Sequence, residues 1–201
     1  MCYKNNETQM TKKSGKLIIV SAPSGSGKST IVGELIKDKE LRLQFSVSAT
    51  TRKPRGEEKH GVHYYFLDVD DFKRRIERDE FAEFEEVYEG RFYGTLKSEL
   101  ERIMAAGDNA VLDIDVKGAL SVKKLYGDRA LTLFIQPPSI EVLRERLLGR
   151  GTDSLEEIEK RIAKAAYELT FAPHFDAVIV NDVLVTAVED TRRAIVDFLE
   201  S

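Results

Sequence analysis

A glycine-rich segment between an apolar run and a helical pattern places the strongest constraint on the fold of this chain. The run Leu-Ile-Ile-Val at 17–20 is typical of a strand buried on both faces. The sequence Ala-Pro-Ser-Gly-Ser-Gly-Lys-Ser follows at 22–29, and a helical pattern continues through 30–36. This order is typical of a phosphate-binding loop, with Ala22 at the first glycine position of the pattern G-x-x-x-x-G-K-[ST].

The residue types of this phosphate loop (residues 22–29) suit a polyphosphate. Gly25 and Gly27 let backbone N–H groups turn inward without interference from a Cβ atom, and the following helix presents its positive end. We expect Lys28 to reach the outer phosphates and Ser29 to coordinate Mg²⁺. The alternative, an ordinary Gly/Ser turn, is disfavoured by the flanking strand and helix. The predicted ATP-binding residues here are Ala22, Pro23, Ser24, Gly25, Ser26, Gly27, Lys28, Ser29 and Thr30.

Further apolar runs predict the fold class. Strands buried on both faces are expected at 110–114, 131–135 and 177–180, with helical stretches between them. This alternation favours an α/β fold, with a parallel sheet flanked by helices. An aromatic and glycine-rich stretch predicts an inserted mixed α/β lobe, and a basic helical stretch predicts a second insert. The predicted division is a flexible tail (1–15), a core (16–46, 98–137 and 171–201), the inserted lobe (47–97) and a helical lid (138–170).

Composition excludes several classes of protein. The chain has 31 Lys and Arg against 35 Asp and Glu, so no basic excess favours a nucleic-acid polymer as partner. One cysteine excludes an internal disulfide framework, and three histidines give no zinc-ligand spacing. No apolar run approaches the roughly 20 residues of a membrane span. We expect a cytoplasmic protein with no membrane partner, and the oligomeric state stays open.

The segment 45–57, Phe-Ser-Val-Ser-Ala-Thr-Thr-Arg-Lys-Pro-Arg-Gly-Glu, followed by Gly61 and Tyr64, strongly resembles the nucleotide-acceptor segment of guanylate kinases. Other segments fall in the order that this family shows, namely the phosphate loop, Leu-Asp-Ile-Asp at 112–115, 146–151 and Val-Asn-Asp at 180–182. The resemblance covers nearly all of 16–200. It implies a P-loop NTPase core with a GMP-binding lobe and a lid, and Mg²⁺-dependent phosphoryl transfer from ATP to GMP, with dGMP as a further acceptor.

The inserted lobe offers groups for a phosphate monoester. Arg52 and Arg55 are close in sequence and can clamp a phosphate with paired donors, while Tyr64 and Tyr93 can add hydroxyl donors. The alternative is that the arginines are surface charges and the tyrosines fill a core. Because the stretch before Tyr93 is about one residue longer than in some family members, Phe92 is the competing position.

Guanine recognition is expected to depend on one carboxylate. Guanine presents N1–H and N2–H₂ as adjacent donors, whereas adenine has an unprotonated N1 and no N2 group, so a carboxylate selects guanine. By resemblance this carboxylate is Glu83, with Ser48 and Thr95 as hydroxyl partners near the base. In the alternative interpretation, Glu83 belongs to a solvated run with Glu85 and Glu86.

Two aspartates complete the predicted GMP-binding set. Asp113 and Asp115 alternate in an apolar strand, so we expect their side chains on one face, near the carboxyl edge of the sheet where ligands collect. Asp113 is expected near the hydrated Mg²⁺ held by Ser29, and by resemblance Asp115 reaches toward the acceptor nucleotide. The alternative is a strand-end or helix-capping role for each carboxylate.

Arginines of the helical lid resemble those that close over the donor phosphates in this family. Helix breaks are expected at Gly149 and Gly151, and Asn181 is expected to contact the adenine of ATP. The nucleophile is an oxygen of the GMP phosphate, whose second pKa is about 6, so no general base is required. The predicted catalytic residues are Lys28, Arg52, Arg146, Arg150 and Arg161.

Two rival functions stay open. One is a non-catalytic guanylate kinase-like module that binds partner peptides, against which the intact Lys28 and Ser29 and the lid arginines argue. The other is a P-loop kinase for another small acceptor, or a nucleotide-dependent switch. The residues Arg52, Arg55 and Glu83 argue against that rival, because they are predicted to form a second nucleotide pocket, which a switch does not need.

Overall fold

The computed structural model describes residues 14–151 and 153–201, which form a parallel sheet with helices on both faces and two inserts. In chain order the elements are β1 (Leu17–Ser21), α1 (Lys28–Leu35), β2 (Leu43–Phe45), β3 (Ala49–Thr50), β4 (Tyr65–Phe66), α2 (Val69–Glu77), β5 (Phe81–Tyr88), β6 (Arg91–Leu96), α3 (Lys97–Ala105), β7 (Asn109–Asp113), α4 (Val116–Tyr126), β8 (Ala130–Gln136), α5 (Ile140–Arg150), α6 (Leu155–Leu169), β9 (Ala177–Val180) and α7 (Leu184–Glu200), with 3₁₀ turns at Gly127–Arg129 and Ala172–His174.

The parallel sheet has the strand order β2-β7-β1-β8-β9. The central strand β1 is buried over its whole length, because it lies between β7 and β8 and helices cover both faces of the sheet. One face packs mainly against α3 and α4, and the other against α1 and α7. The predicted α/β class with a parallel sheet is confirmed. This order places the carboxyl ends of β1 and β7 side by side.

The sequence expectations were wrong at several places in the core. Strand β9 is an edge strand whose Val178 and Val180 are 41% and 47% exposed, so it is not buried on both faces. The three-residue strand β2 was not predicted. Asp115 lies beyond β7 and caps α4, so it does not alternate with Asp113 within one strand.

The inserted lobe has its own sheet, in the order β4-β3-β6-β5. β3 pairs parallel with β4 and antiparallel with β6, which forms a long hairpin with β5. Helix α2 supplies Phe72, whose ring stacks on Phe81 at 4.3 Å and on Phe92 at 5.2 Å between centroids. This small aromatic core is separate from the two cores of the parallel sheet.

Helices α5 and α6 lie in the segment predicted as the helical lid and pack on each other through buried aliphatic side chains. Ser154 begins α6 with a capping box that includes Glu157. Gly151, with a φ of 64°, ends α5, but the helix continues through Gly149, so the predicted break at Gly149 is wrong.

The first described residues, from 14 onward, are already hydrogen-bonded to the core. The backbone N–H of Gly15 donates to the carbonyl of Met104 at 2.9 Å, which attaches the last part of the predicted tail to the end of α3. The rest of that predicted tail, residues 1–13, lies outside the described residues. Among the described helices, none has the length and apolar character needed to cross a membrane.

Candidate active site

The phosphate loop wraps around the N-terminus of α1, as the sequence predicts. Gly25 and Gly27 have φ values of 98° and 89°, which only glycine adopts easily. A Cβ atom on Gly27 would lie 2.2 Å from Nδ2 of Asn181, so this backbone approach also requires glycine. Ala22 needs no such conformation.

Asn181 supports the loop from beneath. Its side chain is buried, and its amide nitrogen donates to the carbonyl of Ser26 at 2.7 Å. The side chain therefore fixes the shape of the loop. The predicted contact between Asn181 and adenine stays a prediction.

A cavity of about 440 Å³ lies over the loop. Lys28, at the start of α1, donates to the carboxylate of Asp113, because β1 and β7 are neighbours in the sheet. Asp115 also lines this cavity. It is the N-cap of α4, and one of its carboxylate oxygens accepts from the backbone N–H groups of Lys117 and Gly118. The loop and α1 contribute Ala22, Pro23, Ser24, Gly25, Gly27, Lys28, Ser29 and Thr30 to the lining, so Ser26 alone of the predicted loop residues is buried away from it.

The lid arginines occupy different positions around the loop. Arg161 donates to the hydroxyl of Ser24 at 2.8 Å and pairs with Asp153 at 3.2 Å. Arg146 donates to the backbone carbonyl of Asn181 at 2.9 Å, beside the loop. The side chain of Arg150 lies outside the described part of the structure.

Glu83 and Thr95 face each other across the β5–β6 pair. The Thr95 hydroxyl donates to Glu83 Oε1 at 2.6 Å. Burial raises the pKa of Glu83 to about 7, against the hydrogen bond from Thr95, and the nearby charge of Asp115 adds to the rise. Glu83 and Asp115 line one cavity of about 410 Å³. Of the predicted GMP-binding residues, the structure thus brings Glu83, Thr95 and Asp115 together.

Ser48 lies in another cavity of the lobe. It lines a space of about 330 Å³ together with Tyr64 and Asp113. Glu83 is not among the residues that line this space, so the structure does not bring Ser48 and Glu83 to a common cavity.

Arg52 already has a strong partner within the lobe. Its guanidinium donates to both carboxylate oxygens of Glu58, at 2.6 and 2.7 Å, and lies 4.9 Å from the ring centroid of Tyr64. This pair lowers the pKa of Glu58 to about 2 and raises the pKa of Arg52, to which Tyr93 contributes. The backbone N–H of Arg55 also donates to Glu58, at 2.8 Å.

Tyr93, and not Phe92, occupies the position beside Arg52. The two residues alternate along β6, so their side chains lie on opposite faces. Phe92 is buried in the aromatic core of the lobe, whereas the ring of Tyr93 lies 6.2 Å from that of Tyr64. The structure therefore groups Arg52, Tyr64 and Tyr93.

Sequence reasoning missed three charged residues. Glu58 holds Arg52, while Lys164 and Glu168 of α6 line the phosphate-loop cavity. The spacing of the last two from Arg161, three and seven residues, was a helical signal that could have found them. Arg52 and Glu58 are six residues apart in a loop, so their spacing follows no helical period.

Comparison with known proteins identifies the family. The guanylate kinase family model matches residues 14–198. The chain belongs to the guanylate kinase family. Guanylate kinase from Bacteroides fragilis is 61% identical over 184 residues, which is 92% of this chain and 90% of that protein. Guanylate kinase from Porphyromonas gingivalis is 59% identical over 92% of this chain and 98% of its own length.

A solved structure supports the same family and fold. The crystal structure of guanylate kinase from Anaplasma phagocytophilum matches with a TM-score of 0.71 at 30% identity. The match covers 96% of this chain and 90% of that one, so both inserts of the guanylate kinase fold lie within the compared region.

Proposed function

We propose that this chain transfers the γ-phosphoryl group of ATP to GMP, forming ADP and GDP, as a cytoplasmic enzyme of purine nucleotide metabolism that also accepts dGMP. The observation that carries the proposal is a pair of aspartates at the end of β7. Asp113 lines both the phosphate-loop cavity and the Ser48–Tyr64 cavity, and Asp115 lines both the phosphate-loop cavity and the Glu83 cavity. Donor and acceptor spaces therefore meet, as phosphoryl transfer between two nucleotides requires.

The reaction needs positioning and charge neutralisation more than acid–base chemistry. An oxygen of the GMP phosphate attacks the γ-phosphorus, the bond from that phosphorus to the bridging oxygen breaks, and the electron pair stays on ADP. The GMP phosphate is largely ionised at neutral pH, so no proton has to be removed first. In this proposal Lys28, Arg161 and Arg146 neutralise the donor phosphates, with Arg150 as a further lid cation, and Arg52 and Arg55 hold the acceptor phosphate.

Mg²⁺ is proposed as the cofactor, and the residues present fit it. The Ser29 hydroxyl and the Asp113 carboxylate are hard oxygen donors on one cavity. Within the described residues no cluster of three or more His, Cys, Asp or Glu side chains is suited to hold a metal alone, which fits a metal that also depends on phosphate oxygens and water. When bound, Mg²⁺ supplies positive charge to the β- and γ-phosphates.

The decisive experiment measures ADP formation from MgATP with GMP, AMP, CMP, UMP or no acceptor. We expect GMP-dependent ADP formation, and its loss in Lys28→Ala because the phosphates lose their main cation. Lys37→Ala is the matched control, since Lys37 lies beyond α1, is 70% exposed and pairs only locally with Glu34. A folded wild-type protein that forms no ADP with any acceptor would instead favour a peptide-binding module.

Base selection is tested by Glu83→Gln. The amide presents a donor where guanine needs an acceptor, so we expect kcat/KM for GMP to fall at least tenfold while the KM for ATP stays constant. Glu86→Gln, on the same strand but on the opposite face and outside the Glu83 cavity, controls for loss of a charge. Equal GMP turnover in wild type and Glu83→Gln would disprove this assignment of guanine recognition.

A further inference from the structure

One face of the lid helix α6 carries a charged stripe toward the phosphate loop. Arg161, Lys164 and Glu168 are spaced three and four residues apart, so they lie on the same side of the helix. Arg161 contacts Ser24 of the loop directly, and the other two line the cavity above Lys28. The adjacent side of α6 is apolar and packs against α5.

Glu168 is an unexpected residue for a cavity that binds phosphate. Its side chain is 10% exposed, and a buried carboxylate is costly unless a cation balances it. Burial raises the pKa of Glu168, while the charges of Lys164 and Lys28 oppose that rise. The carboxylate therefore depends on the same cations that a polyphosphate would attract.

Lys164 is held only loosely by this partner. Its ammonium nitrogen lies 3.7 Å from Glu168 Oε1, and its side chain is 72% exposed. An exposed lysine at such a distance gains little from the pair and keeps most of its side-chain freedom. A triphosphate offers several more negative charges in the same cavity, so it competes well for the ammonium group.

We propose that Lys164 is a further ligand of the donor polyphosphate, carried by the lid helix and weakly attracted toward the cavity by Glu168 before the nucleotide binds. The proposal deepens the proposed function, on which it rests, by adding a cation to the donor side of the site. Arg161 and Lys164 then approach the phosphates from the lid, opposite Lys28 on the core.

The test compares Lys164→Ala with Lys160→Ala. Lys160 is on the same helix, is also 72% exposed and pairs with Glu156, but it is not among the residues that line the cavity, so both variants lose one charge and only one loses the proposed contact. We expect Lys164→Ala to raise the KM for MgATP about fivefold, with an unchanged KM for GMP, and Lys164→Arg to restore it. Lys160→Ala should resemble wild type.

A second measurement needs no turnover. Isothermal titration with inorganic tripolyphosphate should show about fivefold weaker binding to Lys164→Ala than to wild type or Lys160→Ala, an effect that shrinks as salt is added. Equal tripolyphosphate affinities of the two alanine variants would overturn the role of Lys164. If wild type formed no GDP but the affinities still differed, the proposed function would fail while Lys164 remained a phosphate ligand.

Discussion

Glu83 gives the candidate site a dependence on pH that follows from its burial. Its pKa is raised to about 7, so near neutral pH about half of the free protein carries a neutral carboxyl group. Guanine requires the ionised form, hence GMP binding should strengthen as pH rises through 7. Between pH 8 and pH 6 the ionised fraction falls about tenfold, and we expect the KM for GMP to rise by a similar factor.

Glu83→Gln separates this effect from the titration of GMP itself, whose phosphate also changes charge near pH 6. The variant keeps the phosphate contribution but has no carboxyl group to ionise. Its KM for GMP should therefore vary less between pH 6 and pH 8 than that of wild type. Identical pH profiles for the two proteins would show that Glu83 does not titrate in this range.

Glu58 is expected to matter for the acceptor although it carries the same charge as the phosphate. It accepts from both Nη1 and Nη2 of Arg52 and so fixes the orientation of the guanidinium group. Glu58→Ala should raise the KM for GMP about tenfold through loss of this orientation and leave the KM for ATP unchanged. Glu80→Ala, which removes one of the two carboxylate partners of Arg75 in the same lobe, is the control. A rise in both KM values would indicate a general loss of structure.

At the scale of elements, one hydrogen-bonded group joins the inserted lobe to the core. Glu99, buried at the start of α3, pairs with Arg102 and accepts from the Tyr65 hydroxyl of β4 at 3.0 Å. Tyr65→Phe removes the donor from a buried carboxylate, so the free energy of unfolding should fall by about 1–2 kcal/mol. Urea denaturation measures this, with Tyr88→Phe at a 67% exposed position as control. Equal midpoints for both variants would contradict the link.

The elements that sequence predicted are those whose signal is local. The phosphate loop can be recognised from its own glycines, lysine and serine, and β1 can be recognised from four consecutive apolar residues. Strand β2 is too short to show a pattern, because its three residues are specified by pairing with β7. A glycine within a helix costs about 1 kcal/mol relative to alanine. At Gly149 the packing of Leu147, on the same helix α5, against the apolar residues of α6 offsets this cost.

The same distinction applies to the site. Arg52, Glu83 and Thr95 were predicted from a resemblance between sequences, and the pairing of β5 with β6 explains why the last two meet. Glu58 was missed because its pair with Arg52 forms across a loop and follows no helical period. Glu168 was missed although its spacing of four residues from Lys164 is a helical signal.

At the scale of the molecule, the phosphate loop and the acceptor groups belong to different bodies around the end of β7. Asp113 and Asp115 border the donor cavity and the lobe cavities, while the lid touches the loop through Arg161. Transfer requires the two phosphates to meet with water excluded, since ATP would otherwise be hydrolysed. Movement of the inserted lobe and the lid toward the core satisfies both needs without rearranging the sheet.

We therefore expect both inserts to close when donor and acceptor sites are filled together. Small-angle X-ray scattering should show a smaller radius of gyration with a bisubstrate analogue than without it, and ATP or GMP analogues alone should produce part of the change. Lys28→Ala, which weakens binding of the donor phosphates, should need more analogue for the same compaction. Superimposable scattering curves at saturating analogue would mean that the two cavities are already at their reacting distance, and that exclusion of water depends on the nucleotides alone.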